Sequence, residues 1–422
     1  MRRIVLIFIA VATVLGVTGI YFGLKVWKAV KPVVGKPPED IVEIIERKPD
    51  KSTEVAPFPL QLPKGFSIYL FAKDLAGPRV IKFSPGGWLV VSETGAGRVT
   101  ALKDENGDGF AETRLTVIDG LDRPHGISFF DKYIYVAEPS ILRRYEFNPQ
   151  TGKAKVPGEK ILDLPSDEGH FTRTIDIGPD PSAMNSGQVK LFISIGSSCN
   201  VCRENDELRA TIMVSDPDGK NARIFAKGLR NTVSFKLHPI TGEWWGVDMG
   251  RDWLGDNTPP DEINIIKDGK NYGWPICYGK NIHDANFDKN TYFRNPCMEP
   301  FETPSYIDIP AHSAPLGLDF FSREWPEEYQ DDLLVAYHGS WNRSTPTGYK
   351  VVRYELDAQG KYLGEEDFLI GFLSKDGALG RPVDILIQPF GKVRAASPSN
   401  PYNGTILISD DKAGVIYRIV HQ

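Results

Sequence analysis

The chain has 422 residues, which is enough for one large domain or two to three average ones. Its 11% aromatic residues, 40 glycines and 32 prolines favour many short strands joined by turns, as in a sandwich, a barrel or a propeller. A net charge of −6 without a basic block argues against nucleic acid as a partner.

The N-terminus carries an apolar segment. Residues 4–24 contain no charge and are long enough to cross a bilayer. Arginines precede this run and lysines follow it, so the flanking charges do not fix its orientation. Because no clear small-x-small cleavage site follows, we predict an uncleaved transmembrane helix within residues 1–31 in preference to a cleaved signal peptide, with the body periplasmic or extracellular in either case. A cytoplasmic body on a reversed anchor is the alternative.

The segment after the anchor has a different composition. Residues 32–62 mix charges with closely spaced prolines, which is typical of a semi-rigid linker. We therefore predict a linker over residues 32–62 and a folded domain over residues 63–422.

The folded domain contains six loosely similar units. Each has a short apolar run, a turn at Pro, Gly or Asp, and further apolar strands. The units open at Pro78, Arg123, Arg173, Arg230, Ala314 and Arg381. Short strands repeated in this way predict an all-β fold, a six-bladed β-propeller, in preference to a pair of β-sandwiches.

Charged residues recur where these units open. His170 lies on a glycine-marked turn just before an alternating run that reads as a strand, a position from which an imidazole can move a proton near neutral pH. Arg123, Arg173, Arg230 and Arg381 stand at comparable junctions. Converging cations indicate an anionic ligand in the channel of the propeller. The alternative is that each arginine braces a neighbouring blade.

The chain has four cysteines, two of which form a C-x-x-C motif at Cys199 and Cys202. Arg203 follows in place of the His that covalent haem needs, and the distance to Cys277 and Cys297 is far from zinc-ribbon spacing. In an exported protein, disulfides 199–202 and 277–297 are the plain prediction, although this is one of three possible pairings.

Several short motifs occur in a fixed order along the repeat. They are Gly169-His170 with Arg173, Gly228-Leu229-Arg230-Asn231, Asp261-Glu262-Ile263-Asn264, the run from Asn271 to Pro275, and His338-Gly339-Ser340-Trp341-Asn342-Arg343. Together they resemble the soluble quinoprotein glucose/sorbosone dehydrogenase family, in its L-sorbosone-dehydrogenase-like branch. The resemblance extends over about residues 60–420.

This resemblance implies a six-bladed propeller that binds pyrroloquinoline quinone (PQQ) and calcium. PQQ is a planar tricarboxylate, so it needs cations, amide donors and a stacking wall. On the family pattern the PQQ-binding residues are Arg230, Asn231, Arg343 and Arg381. Gly250 and Arg251 match a family Gly-Pro pair whose backbone carbonyls hold calcium, with Arg here in place of Pro and a longer loop after it.

The activity implied is oxidation of a sugar or a related polyol aldehyde by hydride transfer to the quinone, with an electron acceptor that the sequence does not identify. His170 is the expected general base and calcium the Lewis acid. Because the imidazole must be neutral, activity is expected to rise with pH through the His pKa. The family often has Asp beside this His, where this chain has Gly169.

Two other functions stay open. One is a calcium-dependent hydrolase of the lactonase type, which needs a side-chain cage of Asn, Asp or Glu at the channel centre. The other is a non-catalytic extracellular propeller that binds protein or glycan. The arginines at the blade openings favour the dehydrogenase. His125 and His312 lie beside blade openings, where each either lines the cup or serves the structure.

Overall fold

The computed structural model describes residues 18, 20–27, 60–166, 169–181, 187–390 and 404–421. Most of the predicted anchor and nearly all of the predicted linker lie outside these residues. Residues 20–27 are helical. Within the described ranges, no helix combines the length and apolar character needed to cross a membrane.

Six antiparallel sheets form the blades of a propeller, which confirms the predicted all-β fold. The first described strand, β1 (Phe66–Ala72), belongs to the last blade. Blades one to three contain β2 (Pro78–Phe83), β3 (Leu89–Glu93), β4 (Arg98–Lys103) and β5 (Thr113–Ile118); β6 (Ile127–Phe130), β7 (Tyr133–Glu138), β8 (Ile141–Asn148), β9 (Lys153–Ala154) and β10 (Glu159–Asp163); and β11 (Ile175–Pro179), β12 (Val189–Ile195), β13 (Thr211–Ser215) and β14 (Arg223–Lys227).

The remaining blades follow in chain order. They contain β15 (Thr232–Leu237), β16 (Trp244–Asp248), β17 (Asp261–Ile266), the hairpin β18 (Cys277–Tyr278) and β19 (Ile282–His283), and β20 (Ile307–Ile309); β21 (Pro315–Phe320), β22 (Leu333–Tyr337), β23 (Lys350–Leu356), β24 (Tyr362–Leu369) and the hairpin β25 (Leu373–Ser374) and β26 (Gly377–Ala378); and β27 (Pro382–Ile387), β28 (Thr405–Asp410) and β29 (Val415–His421). Short 3₁₀ turns lie at Thr94–Ala96 and Glu327–Tyr329.

The innermost strands form a closed ring. β2, β6, β11, β15, β21 and β27 each contact the next strand around the axis, and β27 contacts β2. β1 pairs antiparallel with β29, so a strand from the start of the domain completes the last blade. The ring is therefore closed by hydrogen bonds between the two ends of the domain.

The hydrophobic core is divided among the blade interfaces. Each of six buried clusters lies between two neighbouring blades. A middle strand such as Leu89–Glu93 is buried along its whole length, because both faces of its sheet pack against other blades. Continuous apolar runs in the sequence follow from this two-sided burial.

Both predicted disulfides are present, Cys199–Cys202 and Cys277–Cys297. The first closes a tight loop after β12, and the second cross-links the insertion between β17 and β20. Because neighbouring strands are antiparallel, loops that follow the second strand of a blade lie at the same end of the ring as the entry to its inner strand. This end of the propeller carries the candidate site.

Candidate active site

A cavity of about 280 Å³ opens where the inner strands begin. It brings together five of the predicted site residues: His170, Arg230, Asn231, Gly250 and Arg381. Each comes from an inner-strand entry or from a loop that follows a second strand. Residues far apart in the chain thus share one cavity, because the propeller places the same part of each blade around one axis.

Two predicted residues do not line this cavity. The side chain of Arg251 pairs with the buried carboxylate of Asp284, with its Nε 2.6 Å from Oδ2. Arg343 donates from Nη1 to the Ala311 carbonyl over 3.2 Å and from Nη2 to Oδ1 of Asn257 over 2.8 Å. Arg343 therefore links loops near the mouth of the cavity. The calcium-binding role predicted for Arg251 concerns its backbone carbonyl and does not involve its side chain.

The ring of His170 is held in one tautomer. Its Nδ1 lies 3.0 Å from the carbonyl oxygen of Ser197 and 3.0 Å from the Ser197 hydroxyl. That hydroxyl donates its own proton to the Cys199 carbonyl, so both oxygens act as acceptors and Nδ1 carries the proton. Burial, reinforced by the positive charge of Arg230, lowers the pKa of His170 to about 3. The imidazole is therefore neutral at ordinary pH, with its lone pair on Nε2.

Gly169, beside this histidine, occupies a place that no side chain fits. Its φ is +98°, and a Cβ there would lie 2.4 Å from the carbonyl carbon of Ser198. Where the family pattern has Asp, this chain has a glycine, and two loops approach each other closely at this position. Ser197, on the facing loop, supplies the hydrogen bonds that orient His170.

Arg230 is almost fully buried, at 4% exposure, and it is held by the disulfide-closed loop. Its Nε donates to the Asn200 carbonyl and its Nη2 to Asn200 Oδ1, both over 2.9 Å. Its Nη1 donates to the carbonyls of Met249 and Gly250 over 3.2 and 3.0 Å. Burial lowers the pKa of this guanidinium, with nearby carboxylates acting in the opposite direction. The bonds fix a cation at the cavity wall.

Asn231 follows this arginine at the entry to β15. The Asp248 carboxylate accepts the backbone N–H of Arg230 over 3.0 Å and that of Asn231 over 2.9 Å. The Thr172 hydroxyl donates to Oδ1 of Asn231 over 3.4 Å. A buried carboxylate therefore fixes the backbone that presents both predicted PQQ-binding residues to the cavity.

Two further arginines, Arg79 and Arg381, line the cavity. Arg381 donates from Nε to the His338 carbonyl over 2.9 Å and from Nη2 to the Gly339 carbonyl over 2.7 Å. Arg79 also lines the cavity and donates to Asp411 over 2.6 Å. The other oxygen of Asp411 lies 2.8 Å from Nε2 of His338. Three arginines, at positions 79, 230 and 381, thus line one cavity.

Two carboxyl groups line the cavity as well. Asp261 accepts the N–H groups of Gly250 and Ala314, both over 2.8 Å. Burial raises the pKa of Asp261 to about 7, and burial also raises that of Asp252 against the attraction of Arg230. A carboxyl group with a pKa raised in this way is one that a cation would draw into its ionised form.

Of the remaining candidate residues, one lines the cavity and the others lie outside it. His312 lines the cavity and bonds through Nε2 to the Gly255 carbonyl over 2.7 Å. His125 lies deeper, in the narrow channel along the axis. Arg173 is buried and donates to the carbonyls of Pro165, His170 and Thr172. Arg123 is exposed and lies over the ring of Phe171. The two arginines therefore brace the blades, as the alternative for this pattern supposed.

Sequence reasoning missed part of the site. Arg79 follows the same pattern as the other blade openings, so its place in the first unit was a usable signal. His338 lies within one of the family-like motifs and Asp252 within the loop that differs from the family. Ser197, Asn200 and Asp411 lie in loops whose contacts no local pattern encodes.

Comparison with known families and proteins gives a consistent result. The TrAA12-like family matches residues 60–367. A protein of Borreliella burgdorferi described only as uncharacterised is 32% identical over 378 residues, covering 86% of this chain and 91% of that protein. A pyrroloquinoline quinone-dependent pyranose dehydrogenase of Coprinopsis cinerea is 26% identical over 341 residues, covering 70% of this chain and 44% of that enzyme. The chain thus matches less than half the length of this fungal relative.

Solved structures share the fold. The calcium structure of a Trichoderma reesei protein of Carbohydrate-Active Enzymes family AA12 superposes with a TM-score of 0.71 at 20% identity, covering 86% of this chain and 97% of that one. The holo PQQ domain of the Coprinopsis cinerea pyranose dehydrogenase gives a TM-score of 0.67 at 22% identity, with the same coverage. The chain therefore belongs to the TrAA12-like family, and the resemblance to the soluble quinoprotein sugar dehydrogenases is confirmed.

Proposed function

We propose that this chain is a PQQ-dependent dehydrogenase that oxidises a sugar or a related polyol aldehyde by hydride transfer, with His170 as general base and calcium as Lewis acid. The observation that carries the proposal is the shared cavity of His170 and three arginines. The names of the Coprinopsis cinerea and Hypocrea jecorina relatives, a PQQ-dependent pyranose dehydrogenase and a PQQ-dependent sugar dehydrogenase, support the choice of cofactor.

The cavity fits a multiply charged anion. Arg79, Arg230 and Arg381 would hold the PQQ carboxylates, because they line one cavity and guanidinium groups bind carboxylates through charge-assisted hydrogen bonds. Arg79 also has a buried Nε that, in the part of the chain described here, finds no acceptor. A carboxylate is the natural partner of such a donor. Asn231 adds a side-chain amide to the same wall.

The cavity also offers hard oxygens to calcium. Gly250 lines it, with its carbonyl also accepting from Nη1 of Arg230 over 3.0 Å, and the Arg251 carbonyl is next in the chain. Asp261, whose pKa burial raises to about 7, lies against Gly250 and would supply a negative charge to a divalent ion. Carbonyl and carboxylate oxygens are the ligands that calcium prefers.

When bound, PQQ supplies a quinone carbonyl that accepts hydride, and calcium polarises it. His170 does the proton chemistry. Its Nδ1–H is committed to Ser197, so Nε2 takes the proton of the substrate hydroxyl. Arg230 and Arg381 stay fixed by backbone carbonyls, which keeps the cavity wall in place during the reaction.

The test is an absorbance titration of the purified apo protein with PQQ and calcium, followed by dye reduction with a panel of aldoses. We expect a spectral change and reduction of dye with at least one sugar. His170→Gln should keep PQQ binding and lower turnover by at least about 100-fold, the contribution typical of a general base. Absence of both the spectral change and the dye reduction would remove the proposal.

The calcium-dependent hydrolase has one observation in its favour. Asp252, Asp261 and Asn342, each of which carries a side-chain oxygen, line the cavity. The three arginines weigh against it, since a cage that binds calcium through side chains gains nothing from surrounding cations. Hydrolysis of a lactone panel by the calcium-loaded protein without PQQ would favour the hydrolase. Sugar binding without either activity would favour the non-catalytic propeller.

We further propose the domain arrangement predicted above: an anchor within residues 1–31, a linker over 32–62 and a propeller over 63–422, with the propeller periplasmic or extracellular and passing electrons to an acceptor yet to be identified. Two disulfides support an oxidising compartment. Protease treatment of spheroplasts, with membrane fractionation, tests this arrangement. Protection of the propeller in spheroplasts whose inner membrane is intact would contradict it.

A further inference from the structure

Two tryptophans stand exposed at the mouth of the cavity. Trp253 is 62% exposed and Trp341 is 40% exposed. Trp341 also lines the cavity, and the two rings meet almost at right angles with their centroids 5.2 Å apart. An indole is a large apolar surface, and an adjoining pair beside a binding cavity is a surface suited to a partner.

The loops that carry these indoles are bonded to each other. Asn342 donates from Nδ2 to Oδ1 of Asp252 over 2.8 Å, and Arg343 donates from Nη2 to Oδ1 of Asn257 over 2.8 Å. Trp253 has a φ of +70°, in the left-handed region that a bulky residue rarely adopts. Strained positions of this kind persist where the surroundings enforce them and cluster at ligand clamps. The two indoles are therefore held in a fixed arrangement on the exposed surface.

A polar acceptor without a partner lies next to the two indoles. The Nδ2 of Asn342 is committed to Asp252, which leaves its Oδ1 as the free end of the amide. That Oδ1 is buried and, among the residues with described positions, has no donor. Asn342 lines the same cavity as Trp341. A ligand that spans the mouth would meet apolar ring faces and a hydrogen-bond acceptor together.

We infer that the substrate is an oligosaccharide or a glycoside, whose reacting ring enters the cavity while the next sugar ring packs on Trp253 and Trp341. A pyranose has an apolar face of C–H groups and hydroxyl donors at its rim, which match the indoles and the Asn342 Oδ1. The cavity of about 280 Å³ is at the small end for ligand pockets, so with the cofactor in place a further ring extends to the mouth. The inference rests on the proposed function for its substrate class.

The experiment measures sugar binding to the full chain, with and without added PQQ and calcium, and its readout is binding rather than turnover. Tryptophan fluorescence and calorimetry compare trisaccharides of glucose, mannose, galactose and xylose with the matching monosaccharides. We expect at least one trisaccharide to bind about tenfold more tightly than its monosaccharide, with a shift in tryptophan emission. Trp253→Ala should remove this tenfold gain, and Trp253→Phe, which keeps an aromatic face, should retain most of it.

The outcomes separate the inference from the proposed function. Equal affinity for every trisaccharide and its monosaccharide would overturn the inference, as would a trisaccharide preference that Trp253→Ala leaves intact. Dye reduction by the wild-type holoenzyme with monosaccharides only, without oligosaccharide preference, would overturn the inference and leave the proposed dehydrogenase in place. Trisaccharide binding that depends on Trp253, without any dye reduction, would support the outer binding surface and overturn the dehydrogenase.

Discussion

The pKa of His170 sets the pH range in which the proposed base works. The sequence led us to expect activity that rises with pH through an ordinary histidine pKa near 6.5. Burial and Arg230 lower the pKa of His170 to about 3, so the neutral form dominates at any pH above about 4. We therefore expect kcat/KM to show no change caused by protonation of His170 between about pH 5 and pH 8.

Two measurements check this expectation: the pH profile of kcat/KM for the holoenzyme, and an NMR titration of the imidazole signals. His170→Gln identifies the resonance of His170. A histidine signal that titrates near pH 6.5 in the wild type and is missing from the variant would contradict the burial argument.

Arg381 and Arg343 provide a matched pair of arginine substitutions. Arg381 lines the cavity, whereas the structure places Arg343 among the surrounding loops. Hydrogen bonds to charged groups contribute about 1.5–3 kcal/mol, so Arg381→Ala should weaken PQQ binding by roughly 10- to 100-fold. Arg343→Ala should change it by less than about threefold, because a contact outside the cavity contributes little. The absorbance titration measures both, and equal losses would contradict the assignment of Arg381 to the cofactor.

At the scale of elements, the loop closed by Cys199 and Cys202 organises the site. Ser197, two residues before Cys199, donates to the Cys199 carbonyl and holds the ring of His170, whereas Asn200 inside the loop holds Arg230. The short disulfide-closed loop therefore restricts the Arg230 contact directly and the His170 contact through Ser197. The loop is thus a positioning element for the proposed base and for one of the proposed cofactor-binding cations.

The two disulfides should separate activity from stability. Removing Cys199–Cys202 with paired serines should lower kcat/KM about tenfold, because it loosens Ser197 and Asn200. In the chain-entropy account this short loop contributes about 2 kcal/mol, and the 20-residue separation of Cys277–Cys297 about 3 kcal/mol. Paired serines at Cys277 and Cys297 should therefore lower the denaturation midpoint more and the activity less. Denaturant titration and dye assays measure both, and the reverse order of effects would contradict the positioning role.

How far the sequence predicted the site depended on the kind of element. Blade openings such as Arg230 and Arg381 were predictable, because each precedes an apolar inner strand at a recurring position. Ser197 and Asn200 were not, because loop contacts depend on how blades pack rather than on local periodicity. Arg123 and Arg173 share the same pattern, yet the structure uses them to brace neighbouring loops. A repeat pattern thus locates the rim of the cavity without deciding which cations face it.

For the whole molecule, the six-bladed ring was predictable because its blades repeat, and each blade buries both faces of its sheet. The closure of the ring was not, because it joins the two ends of the domain. β1 precedes the first blade in sequence but pairs with β29 in the last one. Such a long-range pairing leaves no local signal.

Ile68 tests whether this closure supports the whole ring. It is 2% exposed, lies opposite Ile419 in the β1–β29 pairing and belongs to the cluster between the last two blades. Truncating a buried isoleucine costs about 2–5 kcal/mol, so we expect Ile68→Ala to lower the free energy of unfolding by about 3 kcal/mol. Leu363→Ala is the control, because Leu363 is 59% exposed on β24 and surface changes usually stay within about 0.5 kcal/mol. Denaturant unfolding followed by circular dichroism compares the two. Equal, small effects would show that the ring stays closed without the buried contacts of β1. A large loss for Ile68→Ala alone would show that the β1–β29 pairing is among the contacts that hold the propeller together.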